Sequence, residues 1–240
     1  MKLLAFDTST DVLSIAVACE RDGAPRIWQH QGVGGAQASS TLLPLINSLL
    51  AQAGLKLAEL DAIVFGAGPG SFTGLRTACS VAQGLAFGAD LPVLPLDSLL
   101  VVAEAARLQS PEPDAEFQVM SLLDARMNQL YVGRYQYRQG LWTGGGEVAL
   151  IEPEQLQVPP GRTLAGNAFA VYAGRWSQAT EAAPWIEALP TAQAMLQLAP
   201  QQLAQGLAVR PEQAIPHYVR DKVAKTTLER AAEKMAATLP

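Results

Sequence analysis

A glycine-rich loop is the segment of this sequence most able to do chemistry. It reads GAGPGSFTG over residues 66–74 and joins a predicted buried strand to a predicted helix. Pro69-Gly70 suits the centre of a type II turn, where Gly70 would supply a positive φ. Ser71 or Thr73 could cap the helix, and its amide groups and dipole could then bind an anion. The alternative is a tight strand–helix corner without a ligand. The loop is not a Walker A motif, which needs a Lys before Ser or Thr, and it is not GxGxxG.

Polar residues also end the first predicted strand, in the run Asp7-Thr8-Ser9-Thr10. In a nucleotide-binding lobe, an acid and hydroxyls there could hold a hydrated metal and phosphate. Alternatively, they cap the turn. Further along, Asp124 and Arg126 could face this site across a cleft or form a local ion pair. The candidate nucleotide or anion contacts are therefore Asp7, Thr8, Thr10, Gly68, Gly70, Ser71 and Thr73.

Metal ligands and nucleophiles are scarce. The two histidines, His30 and His217, are far apart, and the sequence contains neither HExxH nor GxSxG. The two cysteines, Cys19 and Cys79, show no CxxC spacing and indicate a reducing compartment. We therefore predict no catalytic residue and no metal site.

The elements that must position these residues follow from hydrophobic periodicity and turn residues. Strands are predicted at 2–7, 12–19, 26–31, 61–66 and 92–95, and helices at about 39–53, 74–87 and 98–108. Gly54 should close the first helix, and Ser39, Ser40 or Thr41 should begin it. This β-β-β-α-β-α-β-α order predicts an α/β protein with a mixed sheet flanked by helices.

The pattern partly restarts after a linker at 110–114. Strands are predicted at 117–123, 129–137 and 147–151, and helices near 191–208 and 224–236. In both halves an Asp ends a strand and apolar residues follow six and eight positions later, a weak sign of two copies of one unit. We predict a first lobe over 1–108 and a smaller second lobe over 115–240, whose last helix could pack back on the first.

Two predicted helices, 39–53 and 74–87, are almost free of charge. A surface helix normally carries a charged face, so both are either buried in the lobe or covered by a partner. Small residues in the second would allow another helix to approach closely. If a partner covers these helices, the residues at its interface would be Leu42, Leu45, Ile46, Leu49, Ala78, Cys79 and Ala82.

Composition excludes several classes of protein. Of 240 residues, 49% are apolar and 16% charged, which excludes a largely disordered chain. The net charge of −5 argues against gripping nucleic acid alone. Asp7 interrupts the N-terminal apolar run, and polar residues interrupt 27–55, so we expect neither signal peptide nor membrane span but a cytoplasmic protein. A basic stretch from Arg220 to Lys234 would form a solvated helix face or contact phosphate or an acidic partner.

Five segments together resemble the TsaB (YeaZ) family: LLAFDTST, LLPLINSLL, GAGPGSFTGLR, DARMNQLY and HYVRDKVA, spread over about residues 3–224. The resemblance implies a two-lobed actin-like ATPase fold built from ribonuclease-H-like units, with the second lobe reduced. It also implies a non-catalytic subunit in the formation of N6-threonylcarbamoyladenosine next to the anticodon of tRNAs that read codons beginning with A. Its partners would be the transferase TsaD and the ATPase TsaE.

Further expectations come from the same resemblance. The transferase would carry two metal-binding histidines, four residues apart, on its first long helix, whereas residues 36–41 here contain none. The resemblance implies no intrinsic cofactor, ATP or ADP at the complex interface, a homodimer when alone, and tRNA contact only through the complex. Two alternatives remain: a small ATP-dependent phosphotransferase that uses Asp7, Thr10 and the glycine-rich loop, and a homodimer with another client.

Overall fold

The first lobe is a five-stranded mixed sheet with helices on both faces. The structure is a computed structural model that describes residues 1–21 and 23–220. In chain order the elements are β1 (Leu3–Asp7), β2 (Val12–Arg21), β3 (Ala24–Val33), α1 (Ala38–Ala53), β4 (Ala62–Gly68), α2 (Phe72–Ala89), β5 (Val93–Asp97) and α3 (Ser98–Arg107). The strand order is β3-β2-β1-β4-β5, with β1 antiparallel to β2 and parallel to β4. The predicted element order of this lobe is confirmed.

Continuous apolar runs place β1 and β4 at the centre of this sheet, where both are fully buried. Helices α1 and α2 cover one face. Gly54 ends α1 in the left-handed conformation, as predicted. The start differs, because Gln37 occupies the N-cap position. The hydroxyls of Ser40 and Thr41 donate back to the Gln37 carbonyl, so they lie inside the first turn and do not cap it.

The second lobe repeats the arrangement of the first. Its elements are β6 (Phe117–Asp124), β7 (Leu130–Arg138), β8 (Leu141–Gly144), β9 (Ala149–Ile151), β10 (Thr163–Gly166), α4 (Gln178–Glu181), β11 (Trp185–Glu187) and α5 (Ala192–Ala204). As β1 does, β6 pairs antiparallel with the next strand and parallel with a later one, β10. The predicted repeat is therefore real. The strand predicted at 147–151 corresponds to β9, whereas β8, β10 and β11, of three or four residues each, were not predicted.

The second half of the chain does not stay within the second lobe. Helix α5 packs beside α3 and against β1 and β2, so one apolar core joins the two sheets. Val209 then exchanges backbone hydrogen bonds with Val93 on β5, and the amide of His217 donates to Ala67 on β4. The predicted division is corrected accordingly, because residues 192–217 follow the linker but pack on the first lobe. The helix predicted at 224–236 lies outside the described residues.

Candidate functional site

The strand-end acid Asp7 is buried and engaged locally. One carboxylate oxygen accepts hydrogen bonds from the backbone amide and the hydroxyl of Ser9, both at 2.7 Å, and the Ser98 hydroxyl lies 3.4 Å from the other. Burial raises the pKa of Asp7 to about 6, and these hydrogen bonds oppose the rise. Its carboxylate does not line the cleft described below. Asp7 therefore holds the β1–β2 turn, in agreement with the turn-capping alternative.

The glycine-rich loop packs directly onto that turn, which explains two of its glycines. The Thr8 hydroxyl donates to the Gly74 carbonyl at 2.7 Å, and a Cβ on Gly74 would lie 1.7 Å from the Thr8 carbonyl oxygen. A Cβ on Gly70 would lie 2.5 Å from the carbonyl oxygen of Ser9. The same Ser9 carbonyl accepts the Ser71 amide at 2.7 Å. Thr8 and these glycines therefore close the turn against the loop.

Gly68, not Gly70, is the residue of this loop that needs a positive φ. Its φ is 115°, whereas Gly70 lies outside the left-handed region, so the predicted type II turn centred on Pro69-Gly70 is wrong. The late segment of the chain covers Gly68, because a Cβ there would lie 2.6 Å from the His217 carbonyl oxygen. Next to it, the Tyr218 ring stacks on Phe72 with centroids 4.8 Å apart. Gly68 is thus unavailable to a ligand.

A cleft of about 390 Å³ lies between the two lobes. Of the seven predicted nucleotide or anion contacts, Thr10, Gly70, Ser71 and Thr73 line it, and Asp7, Thr8 and Gly68 do not. Ser71 occupies the N-cap position of α2 but makes no capping hydrogen bond with its side chain. The start of α2 faces this cleft, and its dipole favours an anion there.

Two arginines line this cleft, and protein atoms accept hydrogen bonds from both. Arg126 forms ion pairs with Asp11 of the first lobe and, at 3.2 Å, with Asp124 of the second, so both sequence-based alternatives for Arg126 are combined. Arg220 is buried there and donates to the Gln129 side chain at 2.7 Å and to the Ala125 carbonyl at 3.2 Å. It is therefore not part of a solvated helix face. This contact could not be predicted from neighbouring residues, since Arg220 is 94 residues from Arg126.

The residues predicted at the partner interface need a correction. Six of them lie buried in the apolar core between the sheet and helices α1 and α2, and the seventh, Leu45, is partly buried against it. The six buried residues are Leu42, Ile46, Leu49, Ala78, Cys79 and Ala82. Their apolar spacing reflects the face that packs on the sheet. A partner can meet these helices only through the opposite face.

That opposite face is exposed and nearly uncharged. We call it the outer helix face and define it by Leu43 and Asn47 on α1 and Ser80, Gly84 and Phe87 on α2. Leu43 is 43% exposed and Phe87 is 79% exposed. A Cβ on Gly84 would meet nothing within 4 Å, so the lobe itself does not require glycine there.

Comparisons with known proteins give the class and the family. The family model described as TsaD, tRNA N6-adenosine threonylcarbamoyltransferase, matches residues 30–228. The tRNA threonylcarbamoyladenosine biosynthesis protein TsaB of Escherichia coli (strain K12) is 32% identical over 232 residues, 93% of this chain and 96% of the relative. TsaB of Haemophilus influenzae is 36% identical over 236 residues, 93% of this chain and 95% of the relative. The solved structure of YeaZ from Pseudomonas aeruginosa superposes with a TM-score of 0.78 at 37% identity, covering 90% of this chain and 99% of that one.

The two related lobes, with their mixed sheets and the cleft between them, define a protein of the actin-like, ribonuclease-H-like class. Within that class, the chain belongs to the TsaB (YeaZ) family. Among residues 1–21 and 23–220, no three His, Cys, Asp or Glu side chains are grouped so that they could hold a metal ion. None of the helices in the described ranges is long and apolar enough to cross a membrane.

Proposed function

We propose that this chain is a non-catalytic subunit in the formation of N6-threonylcarbamoyladenosine next to the anticodon of tRNAs that read codons beginning with A. It works in the cytoplasm with a TsaD transferase and the ATPase TsaE. Membership of the TsaB family supports the pathway, since its relatives bear the name of tRNA threonylcarbamoyladenosine biosynthesis proteins. The net charge of −5 supports contact with tRNA through the complex and not by this chain alone.

The outer helix face is the observation that carries this proposal. Helix α1 contains no charged residue, and α2 contains none after Arg76. Each helix therefore exposes one large apolar side chain, Leu43 on α1 and Phe87 on α2, on a nearly uncharged surface. Such a surface is typical of one that a second protein covers.

The same face suits a TsaD partner. The family model of the transferase matches residues 30–228 of this chain, so the two proteins share the part of the fold that includes α1 and α2. Two related subunits can pair through equivalent helices about an approximate two-fold axis, as identical subunits do in a dimer. The proposal therefore includes a homodimer through this face when the chain is alone and a heterodimer when TsaD is present.

The geometry of the strand ends supports a subunit without catalytic chemistry of its own. The actin-like class implies that a nucleotide and its metal bind at the ends of the strands, beside the cleft between the lobes. The residues present do not fit that group, because Asp7 is turned into the protein, and Gly68 is covered by the chain at His217. Arg126 and Arg220, the arginines of the cleft, are held by protein acceptors. We therefore place any ATP or ADP at the interface with TsaD and propose no intrinsic cofactor.

The test is a reconstitution with and without this chain. The mixture contains TsaD, TsaE, the enzyme that makes the threonylcarbamoyl-adenylate, ATP, threonine, bicarbonate and unmodified tRNA. The tRNA is then digested and the modified nucleoside is quantified by mass spectrometry. We expect product only when the chain is present, and equal product without it would overturn the proposal.

The alternative of a small phosphotransferase is tested with the isolated chain. It requires ATP turnover that depends on Asp7 and Thr10. We expect no turnover above that of a preparation carrying Asp7→Asn. Turnover that the substitution abolishes would favour the enzyme.

A further inference from the structure

A second cavity, of about 370 Å³, lies in the second lobe and is walled by aromatic side chains. Phe169, Trp176 and Trp185 line it, and the Phe169 ring centroid lies 6.2 Å from that of Trp176 and 4.5 Å from that of Trp185. We call it the aromatic cavity. Asn167 lines both this cavity and the interlobe cleft. Neither the family nor the proposed function assigns it a role.

The walls of the aromatic cavity are held in place before any ligand arrives. The indole N–H of Trp176 donates to the Phe169 carbonyl at 3.3 Å, and Tyr172 meets Trp176 edge to face at 6.0 Å. The Tyr172 hydroxyl donates to Asp124 at 2.7 Å, which ties this wall to the end of β6. Trp185 is 54% exposed, so much of this residue is open to a ligand. A preorganised aromatic surface lowers the entropic cost of binding.

The charges around the aromatic cavity are all of one sign. Glu181 and Glu187 line it, and none of the described lining residues is basic. Neither carboxylate forms an ion pair with a described residue. The nearby Arg175 is held by Glu154 in a two-pronged pair, at 2.6 Å and 2.8 Å. Aromatic faces and carboxylates both attract a planar organic cation, which can stack on an indole while it donates to an oxygen.

We propose that the aromatic cavity binds the guanidinium group of an arginine side chain presented by another polypeptide. The guanidinium stacks on Trp185 and donates to Glu181 or Glu187. Free arginine would bring an α-ammonium and an α-carboxylate, and none of the described lining residues is basic to receive the carboxylate. Within a peptide chain amides replace both charges, so binding desolvates less charge beside the apolar walls, and this favours a protein as the source.

The test is calorimetric titration of the full chain with Nα-acetyl-arginine methylamide. Its isosteric control is Nα-acetyl-citrulline methylamide, which has the same shape without the charge. We expect the arginine derivative to bind and the citrulline derivative to bind at least about fivefold more weakly, as a cation–π contact and a carboxylate partner predict. Free arginine should bind more weakly than its blocked form.

Variants locate the site. Trp185→Leu and Glu187→Gln should each weaken binding of the blocked arginine, whereas Glu20→Gln, an equal loss of charge on an exposed residue of β2, should not. Because Trp185 and Glu187 are exposed, these substitutions should leave the thermal unfolding temperature nearly unchanged. Equal binding of the arginine and citrulline derivatives, binding unaffected by Trp185→Leu, absence of binding, or binding of adenosine in place of arginine would each overturn the proposal.

Discussion

The carboxylate of Asp7 lies against the backbone of Gly66: a Cβ on Gly66 would be only 1.7 Å from Oδ2 of Asp7. The two residues follow paired positions on the parallel strands β1 and β4, where Phe6 lies beside Phe65. Glycine on one strand therefore makes the space that the buried acid on the other occupies. This relationship fixes Asp7 inside the lobe.

Gly66→Ala should destabilise the protein severely. The added methyl group overlaps a carboxylate that three hydrogen bonds and the surrounding core hold in place, so the strand ends must move apart. We expect a loss of about 3 kcal/mol or more in the free energy of unfolding, measured by urea denaturation. The matched control is Gly88→Ala in α2, which has open space and lies outside the residues that define the outer helix face, and it should gain about 0.5–1 kcal/mol from helix propensity. Wild-type stability in Gly66→Ala would contradict the close approach.

Asp7→Asn should stabilise the protein at neutral pH. Burial raises the pKa of Asp7 from 3.8 to about 6. At a pH between these two values, the folded protein therefore holds a proton that the unfolded chain has lost. The stability of the wild type therefore falls as the pH rises from about 4 to about 6, and Asn removes this fall. The shift corresponds to about 3 kcal/mol, the expected upper limit of the gain at pH 7.5.

Comparing the stability of the wild type with that of Asp7→Asn separates the effect of Asp7 from the effects of other acidic residues. Burial also raises the pKa of Asp97, and its contribution has the same sign but is common to both proteins. Urea denaturation at several pH values should show that the difference in the free energy of unfolding between the two proteins, here called the gap, closes as the pH falls towards 4. A gap that is independent of pH would contradict the raised pKa. Asp7→Asn should also support tRNA modification in the reconstituted system, unlike the substitution of a catalytic acid.

Gly84→Arg should block pairing with TsaD while leaving the isolated chain folded. Gly84 lies on the outer helix face with nothing within 4 Å of an added Cβ, and arginine is a far better helix former than glycine. Within a close-packed interface, however, its charge would be desolvated without a partner. We expect binding weakened by about 100-fold or more, measured by surface plasmon resonance.

Two comparisons make this result specific. Gln157→Arg adds the same charge to an exposed residue of the second lobe and should leave binding unchanged. Ala82→Arg places the charge in the core of the first lobe and should unfold the chain, so loss of pairing there would say nothing about the interface. If Gly84→Arg binds TsaD normally, the outer helix face is not the contact.

Much of the fold was predictable because its signals are local. The continuous apolar runs of β1 and β4, the glycine after α1 and the Asp-ended strand in each half each depend on a few neighbouring residues. The glycine-rich loop was also correctly placed between a strand and a helix. The reason for its glycines was not, because Gly70 and Gly74 are required by the approach of Ser9 and Thr8, more than sixty residues earlier.

The parts of the fold and site that the sequence did not predict depend on contacts between distant segments. Apolar spacing on α1 and α2 predicted a buried face but could not show whether a sheet or a partner buries Leu42 and Ala78. The return of the chain to β5 and β4 at Val209 and His217 depends on two backbone pairings that have no residue signature. The walls of the aromatic cavity, likewise, come from residues that only the fold of the second lobe brings together.

The buried pair of Glu104 and Arg107 should be the most important ion pair of the described protein for stability. Both carboxylate oxygens of Glu104 accept from the guanidinium, at 2.7 Å and 2.8 Å, and one also accepts the indole N–H of Trp142 at 2.8 Å. The guanidinium in turn lies 4.2 Å from the centre of the Tyr137 ring. The pair thereby ties α3 to β7 and β8 of the second lobe.

Glu104→Ala should cost about 3–5 kcal/mol in the free energy of unfolding, because it leaves a buried cation without its partner. The control is Glu116→Ala, which breaks an exposed pair with Arg138 and should cost less than about 1 kcal/mol. The double substitution Glu104→Leu with Arg107→Met should cost less than Glu104→Ala, since no buried charge remains. Equal losses in the free energy of unfolding for Glu104→Ala and Glu116→Ala would show that the buried pair contributes no more to stability than the exposed one.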